Sequence, residues 1–383
     1  MVSGFVRARD LGIAIGEGTP GPLNAITDVA GVRVGHTTLI EGSGPLVVGQ
    51  GPVRTGVTIV VPHEGDTWAE PVFAGTATMN GNGELTGLEW VREAGLLSGP
   101  IGITNTNAVG VVRDALVSSA TGSHDPGALH WSLPVAGETY DGRLNDIAGG
   151  HIRTEHVAAA LAGARGGHVD EGNVGGGTGM ICHEFKGGIG TASRRLPAAI
   201  GGWTVGVLVQ ANYGRRGLLR IDGLPVGEEI PLTEIPSPWS DERRGLADRG
   251  PGSGSIIGIV ATDAPLLPHQ CARIARRAPL GVARMGGLGS TASGDIFLCF
   301  ATGNRGMPPT EADADGEGVL ALRGLVDRAL DPLIEATVEA TEEAIINALV
   351  AADTMTGRDG ITAHRLPHDR LVAVMGRHGR LRA

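Results

Sequence analysis

Residues 254–268 of this 383-residue chain read Gly254-Ser-Ile-Ile-Gly-Ile-Val-Ala-Thr-Asp-Ala-Pro-Leu-Leu-Pro268. The run from Ser255 to Ala261 is short, apolar and rich in β-branched residues, which is typical of a buried strand. Directly before it, residues 231–254 (PLTEIPSPWSDERRGLADRGPGSG) combine prolines, charges and a Gly-Ser end, and predict an exposed, poorly packed loop that proteases can cut. A flexible loop that leads straight into a core strand whose first residue is serine is an unusual junction.

The composition around this junction indicates a folded protein with many tight turns. Glycine accounts for 64 residues and proline for 22, while the hydrophobic fraction is 41% and the aromatic fraction only 3%. Collagen would need glycine at every third position, and a disordered chain would be depleted in aliphatic residues, so neither class fits. At about 150 residues per domain, the length allows two domains or one large layered body.

Charge and apolar content limit the partners. The formal net charge is −10, and Lys186 is the only lysine among the 31 basic residues. This balance argues against nucleic acid and against an anionic membrane surface as partners. No run reaches the roughly 18 apolar residues of a membrane span, and the N-terminal residues lack the apolar core of a signal peptide. We therefore expect a soluble, cytoplasmic protein.

Cysteine spacing and motif searches exclude several chemistries. The cysteines at 182, 271 and 299 lie far apart, which favours buried thiols over disulfides or a zinc site. No serine lies in G-x-S-x-G, and the sequence lacks a complete H-E-x-x-H motif and a P-loop. No cluster of metal ligands is visible, so we expect neither a metal nor another cofactor.

Local patterns predict a mixture of strands and helices. The predicted strands are Thr55–Val61, Thr204–Val209, Ser255–Ala261, Ile296–Phe300 and Leu371–Met375. The predicted helices are Thr154–Ala164, Pro268–Arg277 and Asp331–Ala352, the last with Asp331 as its N-cap. Because the elements lack a regular βαβ alternation, we favour a layered α+β fold over a Rossmann sheet.

Four stretches of the chain carry the functional signal together. They are Glu138-Thr-Tyr-Asp-Gly-Arg-Leu-Asn-Asp146, Val209-Gln-Ala-Asn-Tyr-Gly-Arg-Arg216, Gly254 to Pro268, and Ser293-Gly-Asp-Ile-Phe297. In this order they resemble the self-processing aminopeptidase family that includes the L-aminopeptidase D-Ala-esterase/amidases and the β-peptidyl aminopeptidases. Residues 28–36 (DVAGVRVGH) and 175–180 (GGGTGM) also match, so the resemblance extends over nearly the whole chain.

The resemblance implies a four-layer αββα sandwich, similar to the N-terminal nucleophile hydrolases but with different connectivity. It also implies a precursor that cuts itself between Gly254 and Ser255. The products would be a larger chain, residues 1–254, and a smaller chain, residues 255–383, which together form one body. The sequence is compatible with this, since glycine reaches backbone conformations in which a carbonyl can be strained toward the following hydroxyl.

Ser255 would be the nucleophile, and serine needs a base to take its proton. One candidate is the α-amine of Ser255 itself, freed by the cut, with a reference pKa of about 7.7–8.0. The other is Ser293, which matches the family's active-site serine. Residues two apart on a strand face the same side, so Asp295 can orient Ser293. Better-known relatives carry glutamate at this position, and the shorter Asp295 leaves the carboxylate's hydrogen-bond partner open.

Three further roles follow from the resemblance. Asn212 corresponds to the oxyanion donor, and Tyr140 would add a phenolic donor near the same oxygen. Glu138 matches the carboxylate that receives the substrate's ammonium group, which would restrict the enzyme to free N-termini. Taken singly, each residue has a structural interpretation: Ser255 and Asn212 as turn residues, Tyr140 as a buried ring, and the carboxylates as solvated groups.

The joint occurrence of these residues favours a serine aminopeptidase that removes N-terminal residues from small peptides, amides or esters through an acyl-enzyme on Ser255. Two alternatives stay open: an amidase for a pantetheine-like or nylon-oligomer-like compound, and a processed but inactive protein that binds amines. The expected partners are the substrate and further copies of the chain, in a homotetramer of processed heterodimers.

Overall fold

The structure is a computed structural model and describes residues 6–122, 131–240, 250, 254–308 and 319–382. Its strands are β1 Arg33–Glu41, β2 Val53–Val61, β3 Val72–Gly81, β4 Leu96–Leu97, β5 Ile101–Asn105, β6 Val135–Thr139, β7 Ile181–Cys182, β8 Phe185–Lys186, β9 Gly188–Arg195, β10 Thr204–Asn212, β11 Ser255–Thr262, β12 Gly294–Ala301, β13 Met355–Thr356 and β14 Thr362–Ala363. Its helices are α1 Leu88–Ala94, α2 Val109–Gly122, α3 Thr154–Ala162, α4 Val226–Glu229, α5 Pro268–Ala275, α6 Ala278–Arg284, α7 Asp331–Val350 and α8 His368–Arg377.

Two sheets dominate the described part of the chain. One has the order β1-β2-β5-β6, and the other has the order β4-β3-β12-β11-β10-β9. In the larger sheet, β11 is antiparallel to β10 and parallel to β12. Helices α2 and α3 pack on the smaller sheet, and α5 and α7 pack on the larger one. The order of layers is therefore αββα, which confirms the α+β prediction.

Side-chain alternation on the strands produces the cores between these layers. On β11, Ile257 and Ile259 face the core between the two sheets, together with Ile103 of β5. Their neighbours Ile256 and Val260 belong to the core under the helices. A strand that is apolar on both faces is a central strand covered on both sides, so the first residue of β11 is held by packing from two directions.

The confirmed elements are the long or strongly patterned ones. The strands predicted near residues 55, 204, 255 and 296, and all three helices, are present, with ends that differ by a few residues. Asp331 is not a cap, because a 3-10 turn at Asp327–Leu330 leads into α7 and Asp331 is already helical.

The strand predicted at Leu371–Met375 is wrong, since these residues lie in α8. Leu371, Val374 and Met375 are buried. Their spacing of three and four residues describes one face of a helix. The predicted window was too short to distinguish that spacing from a strand pattern.

The segment at 231–254 is the exposed loop that its composition predicted only in part, since residues 231–234, 236 and 240 are exposed but others are packed. Ser237, Pro238 and Trp239 are buried, and Trp239 packs with Leu144, Met355 and other apolar residues. Gly254 is buried as well. Local composition could not predict this packing, because the partners are distant in sequence. Residues 241–249 and 251–253 lie outside the described ranges.

Two further expectations concern thiols and membranes. Cys182, Cys271 and Cys299 are free and buried, as the cysteine spacing predicted. None of the helices within the described ranges has the length and apolarity needed to cross a lipid bilayer.

Candidate active site

Ser255 begins β11, where three strands meet. Its neighbour on β10 is Asn212 and its neighbour on β12 is Gly294. The Gly294 N–H donates to Ser255 Oγ at 3.2 Å and also to the Gly254 carbonyl oxygen at 3.2 Å. One backbone donor thus contacts both the hydroxyl and the carbonyl of the preceding peptide bond.

The space around residue 254 admits only glycine. A Cβ added at this position would lie 1.8 Å from the Asn212 carbonyl oxygen and 3.2 Å from the Tyr213 Cα, both of them backbone atoms. Gly254 is not among the glycines with positive φ, so a left-handed backbone is not the reason for glycine at this position. What excludes every other residue is the close approach of the β10 backbone.

Ser293 and Asp295 form a buried pair beside this junction. The Ser293 hydroxyl donates to Asp295 Oδ1 at 2.6 Å, so the shorter side chain reaches its serine partner. Burial raises the pKa of Asp295 to about 6, although hydrogen bonds from Ser293 and from the Ile256 N–H act in the opposite direction. Near neutral pH the carboxylate is therefore charged and can accept the serine proton.

The Asn212 carboxamide is fixed at both of its ends. Its Oδ1 accepts the Ile181 N–H at 2.8 Å, and its Nδ2 donates to the Tyr140 carbonyl oxygen at 2.9 Å. Asn212 is the last residue of β10 and is not a left-handed turn residue. An amide nitrogen has two protons, so one remains to be directed at a second acceptor beside Ser255.

Tyr140 follows β6 and is 37% exposed, so the interpretation as a buried ring is wrong. Its ring and hydroxyl lie over Gly142, where a Cβ would come within 2.5 Å of the hydroxyl oxygen. The Tyr140 carbonyl accepts the hydrogen bond from Asn212. The backbone of this residue therefore contacts the site directly, through Asn212.

Glu138 lies at the same end of β6 and is only 2% exposed. Its Oε1 accepts the Glu84 N–H at 3.1 Å, and its Oε2 accepts the Thr106 hydroxyl. Burial raises the pKa of Glu138. No arginine or lysine of the described residues forms an ion pair with it, so this buried carboxylate lacks a cation.

Gly83 connects Glu138 with the junction. A Cβ at Gly83 would lie 2.8 Å from Glu138 Oε1 and 3.1 Å from the Gly294 Cα. The carboxylate and the residue that contacts Ser255 therefore border the same glycine. The predicted site residues therefore lie at one end of strands β6, β10, β11 and β12. They are Glu138, Tyr140, Asn212, Ser255, Ser293 and Asp295.

Two asparagines that the sequence analysis missed support the site. The Asn80 side chain donates to the carbonyls of Ser290 and Ser293, and the Asn82 side chain donates to the Ala292 carbonyl at 2.9 Å. They hold the loop that leads into β12. The turn-forming run Asn80-Gly-Asn-Gly83 was the available signal, but it did not identify what the asparagines bind.

A pocket of about 370 Å³ opens beside the Ser293–Asp295 pair. Its lining includes Met79, Tyr213, Leu218, Val282 and Leu288. The Tyr213 hydroxyl is buried and has no hydrogen-bond partner among the described residues. Arg215 and Ser290 line the pocket as well. A pocket that combines apolar side chains with a few polar groups is typical of a site for a small organic substrate.

The described residues contain no group of three or more His, Cys, Asp or Glu side chains placed to hold a metal ion. The groups that are present supply a serine hydroxyl, a serine–carboxylate pair, an amide donor and a buried carboxylate. Such a set can perform acyl transfer, with the hydroxyl as nucleophile and the amide as oxyanion donor.

Comparisons with known proteins agree with this chemistry. The sequence profile of peptidase family S58 matches residues 24–363. Beta-peptidyl aminopeptidase BapA of Sphingosinicella microcystinivorans is 50% identical over 379 residues, which cover 98% of this chain and 93% of that protein.

Two solved structures are also similar over the whole chain. A Burkholderia sp. beta-aminopeptidase is 52% identical, with a TM-score of 0.89 and coverage of 98% of this chain and 99% of that one. The L-aminopeptidase D-Ala-esterase/amidase of Ochrobactrum anthropi, described as a prototype for the serine aminopeptidases and a variant of the Ntn hydrolase fold, is 41% identical, with a TM-score of 0.87 and the same coverage.

Proposed function

Since the chain belongs to peptidase family S58 and is a hydrolase of the N-terminal nucleophile aminopeptidase type, we propose that Ser255 is its nucleophile and that the chain frees Ser255 by cutting itself after Gly254. The observation that carries this proposal is the Gly294 N–H, which contacts both the Ser255 hydroxyl and the Gly254 carbonyl. The same donor is therefore in reach of the attacking atom and of the oxygen that becomes charged.

The self-cleavage is an acyl shift followed by hydrolysis. Ser255 Oγ attacks the Gly254 carbonyl carbon, the peptide C–N bond breaks, and the proton of the hydroxyl ends on the released α-amine. This leaves residues 1–254 as an ester on Ser255. Water then cleaves the ester, which restores the hydroxyl and gives Gly254 a free carboxylate. In this step the Ser293–Asp295 pair is the available base, because the α-amine of Ser255 is still part of an amide.

Turnover repeats the same chemistry on a peptide. Ser255 attacks the carbonyl of the substrate's N-terminal residue, and the remaining Asn212 proton stabilises the oxyanion. The proton of Ser255 goes to its own α-amine or to the Ser293–Asp295 pair, and then to the leaving amine. Glu138 receives the substrate's ammonium group, which restricts the reaction to free N-termini.

The substrates we propose are short peptides that begin with a β-amino acid. The support is the identity of about half of all residues to proteins named as a beta-peptidyl aminopeptidase and a beta-aminopeptidase. The test is kcat/KM on β-alanine p-nitroanilide and L-alanine p-nitroanilide, with the Ser255→Ala variant as a control. We expect the β-alanine compound to be at least 10-fold better. Equal or better turnover of the L-alanine compound would contradict the β preference.

A first prediction concerns Glu138. Glu138→Gln should have a lower kcat/KM than the wild type for a peptide with a free amine. For an N-acetylated analogue, which we expect the wild type to reject, the kcat/KM of the variant should be no lower than that of the wild type. The wild type rejects the acetylated compound because a buried carboxylate without a cation is costly, and the neutral amide removes that cost. The ratio of kcat/KM for the two substrates should therefore collapse.

Asp146→Asn is the matched control for Glu138. It changes another buried carboxylate, in the segment that follows β6, but the Asp146 carboxylate is already bonded to the His151 ring at 2.8 Å and the Gly49 N–H at 2.7 Å. In Asp146→Asn, the ratio of kcat/KM for the free-amine and the N-acetylated substrate should stay near that of the wild type. If the ratio for Glu138→Gln changes by less than about threefold, under roughly 1 kcal/mol, the ammonium receptor is another carboxylate, with Asp141 as the next one to test.

A second prediction concerns pH. Protonated Asp295 cannot accept the Ser293 proton, so kcat should fall as the pH drops through about 6, the pKa to which burial raises this carboxyl group. The measurement is kcat from pH 5 to 9. In Asp295→Asn the rate should be lower at pH 8 and this acid limb should disappear. If the variant keeps the limb, another group such as the Ser255 α-amine is responsible.

We also propose that the processed chains assemble into a homotetramer of heterodimers. Val319, Leu320, Leu322 and Val326 are exposed apolar residues of one segment, and an exposed apolar patch is typical of a surface that binds another protein. Light scattering that gives a single unit of 39.1 kDa at micromolar concentration would contradict this proposal.

A further inference from the structure

Lys186, the single lysine of the chain, is fully buried. Its Nζ donates to the carbonyl oxygens of Met180 and Gly187 at 2.9 Å and to that of Gly177 at 3.3 Å. All three ammonium protons therefore have backbone acceptors. Burial lowers the pKa of Lys186 to about 7, and the three carbonyl acceptors favour the protonated form over the neutral amine. Keeping a cation in such a place is costly, and packing alone would be served by an apolar side chain.

One of these acceptors, the Met180 carbonyl, belongs to a peptide group that is hydrogen-bonded to Asn212. The Met180 carbonyl and the Ile181 N–H are the two ends of one peptide group. Lys186 binds the oxygen at one end, and the N–H at the other end donates to Asn212 Oδ1 at 2.8 Å. The hydrogen-bond chain therefore runs from the lysine ammonium through one peptide group to the carboxamide.

We propose that Lys186 is a positioning residue for the oxyanion, acting through the Met180–Ile181 peptide to fix Asn212 and to strengthen it as a donor. This inference rests on the proposed role of Asn212. It adds to that role a residue that does not contact the substrate and that lies 26 positions earlier in the chain.

The physical effect is polarisation along aligned amides. A cation at a carbonyl oxygen draws electron density from the peptide nitrogen, so the Ile181 N–H becomes a stronger donor. Asn212 Oδ1 then carries more negative charge and its Nδ2 protons become more acidic. Hydrogen bonds in such chains strengthen one another by about 10–30% each. Because the oxyanion exists only in the transition state, the gain appears in kcat and not in KM.

Arg216 provides a matched control, since it is a second buried cation and its guanidinium binds the turn of the same β7–β8 hairpin. Its guanidinium donates to the carbonyls of His183 and Glu184, and to those of Ile230 and Ile235. None of these carbonyls belongs to the Met180–Ile181 peptide. Removing Arg216 therefore removes a buried cation and its backbone bonds without interrupting the chain to Asn212.

The test is a double-mutant cycle, with kcat measured per processed chain and thermal unfolding measured for each variant. Lys186→Met should lower kcat about 10-fold with KM within twofold of the wild type. In the Asn212→Ala background the same change should lower kcat by less than twofold, because the donor through which it acts is gone. Arg216→Met should lower kcat by the same factor in both backgrounds.

Lys186→Gln keeps two N–H donors without the charge, and its kcat should lie between those of the wild type and Lys186→Met. It also carries the cycle if Lys186→Met does not fold. An unchanged kcat in Lys186→Met, or an equal fall in both backgrounds, would overturn the proposal and leave Lys186 a structural residue. An Asn212→Ala variant with wild-type kcat would instead contradict the proposed role of Asn212.

Discussion

Ser255→Ala should yield one uncut polypeptide with no aminopeptidase activity. Alanine lacks the hydroxyl proposed to attack the Gly254 carbonyl, and the other group that the Gly294 N–H contacts is that carbonyl itself, which cannot act as a nucleophile. The fold should persist, because Ser255 is the first residue of β11 and the rest of that strand is apolar and buried. The measurement is a denaturing gel followed by N-terminal sequencing. The wild type should give two bands, the smaller beginning Ser255-Ile-Ile-Gly.

The control for this variant is Ser253→Ala, which changes a serine two positions earlier and leaves the nucleophile intact. It should be cut like the wild type. If Ser255→Ala gives the same two fragments as the wild type, ordinary proteolysis of the 231–254 segment produces them, and the chain does not process itself.

Asn212→Ala should keep the fold and lose about 100-fold or more in kcat, the usual scale for one oxyanion donor. Self-cleavage should slow as well, since it passes through a similar tetrahedral oxyanion. The change also leaves the Ile181 N–H and the Tyr140 carbonyl without their partner. A loss of stability on the order of 1–3 kcal/mol is therefore expected beside the kinetic effect.

Asn82→Ala separates these two effects. It removes the side-chain hydrogen bond that Asn82 donates to the loop before β12. Asn82 is not among the groups proposed to contact the oxyanion. Rates of both steps come from stopped-flow assays and from the time course of fragment formation. If Asn212→Ala changes neither rate, its carboxamide has only the structural role that its two hydrogen bonds describe.

The sequence was most informative where one element determines its own structure. The buried strand at Ser255 and the long helix α7 were predicted because a β-branched run and a long amphipathic pattern each favour one conformation. The short run at Leu371–Met375 was misread, since five residues fit both a strand and one face of α8.

The site could be predicted only as a set of residues. Its six members were identified through the order of their motifs, but their contacts join segments that are distant in the chain. A Cβ at Gly254 would lie 1.8 Å from the Asn212 carbonyl oxygen, so residue 212 decides that residue 254 is glycine. The proposed action of Lys186 on Asn212 passes through Met180 and Ile181. Neither relation has a local sequence pattern, because the first depends on how β10 pairs with β11 and the second on how the β7–β8 hairpin packs against the end of β10.

The Gly294 N–H has a consequence for newly made molecules. In the uncut chain this proton is shared by the Gly254 carbonyl and the Ser255 hydroxyl, so the chain's own backbone fills the place that a peptide must take. Under the proposed self-cleavage, every molecule is therefore latent at first. Because the proposed cut happens within one molecule, we expect its half-time not to depend on protein concentration. The interval between synthesis and activity is then set by the first-order rate constant of self-cleavage in each chain, and dilution does not change it.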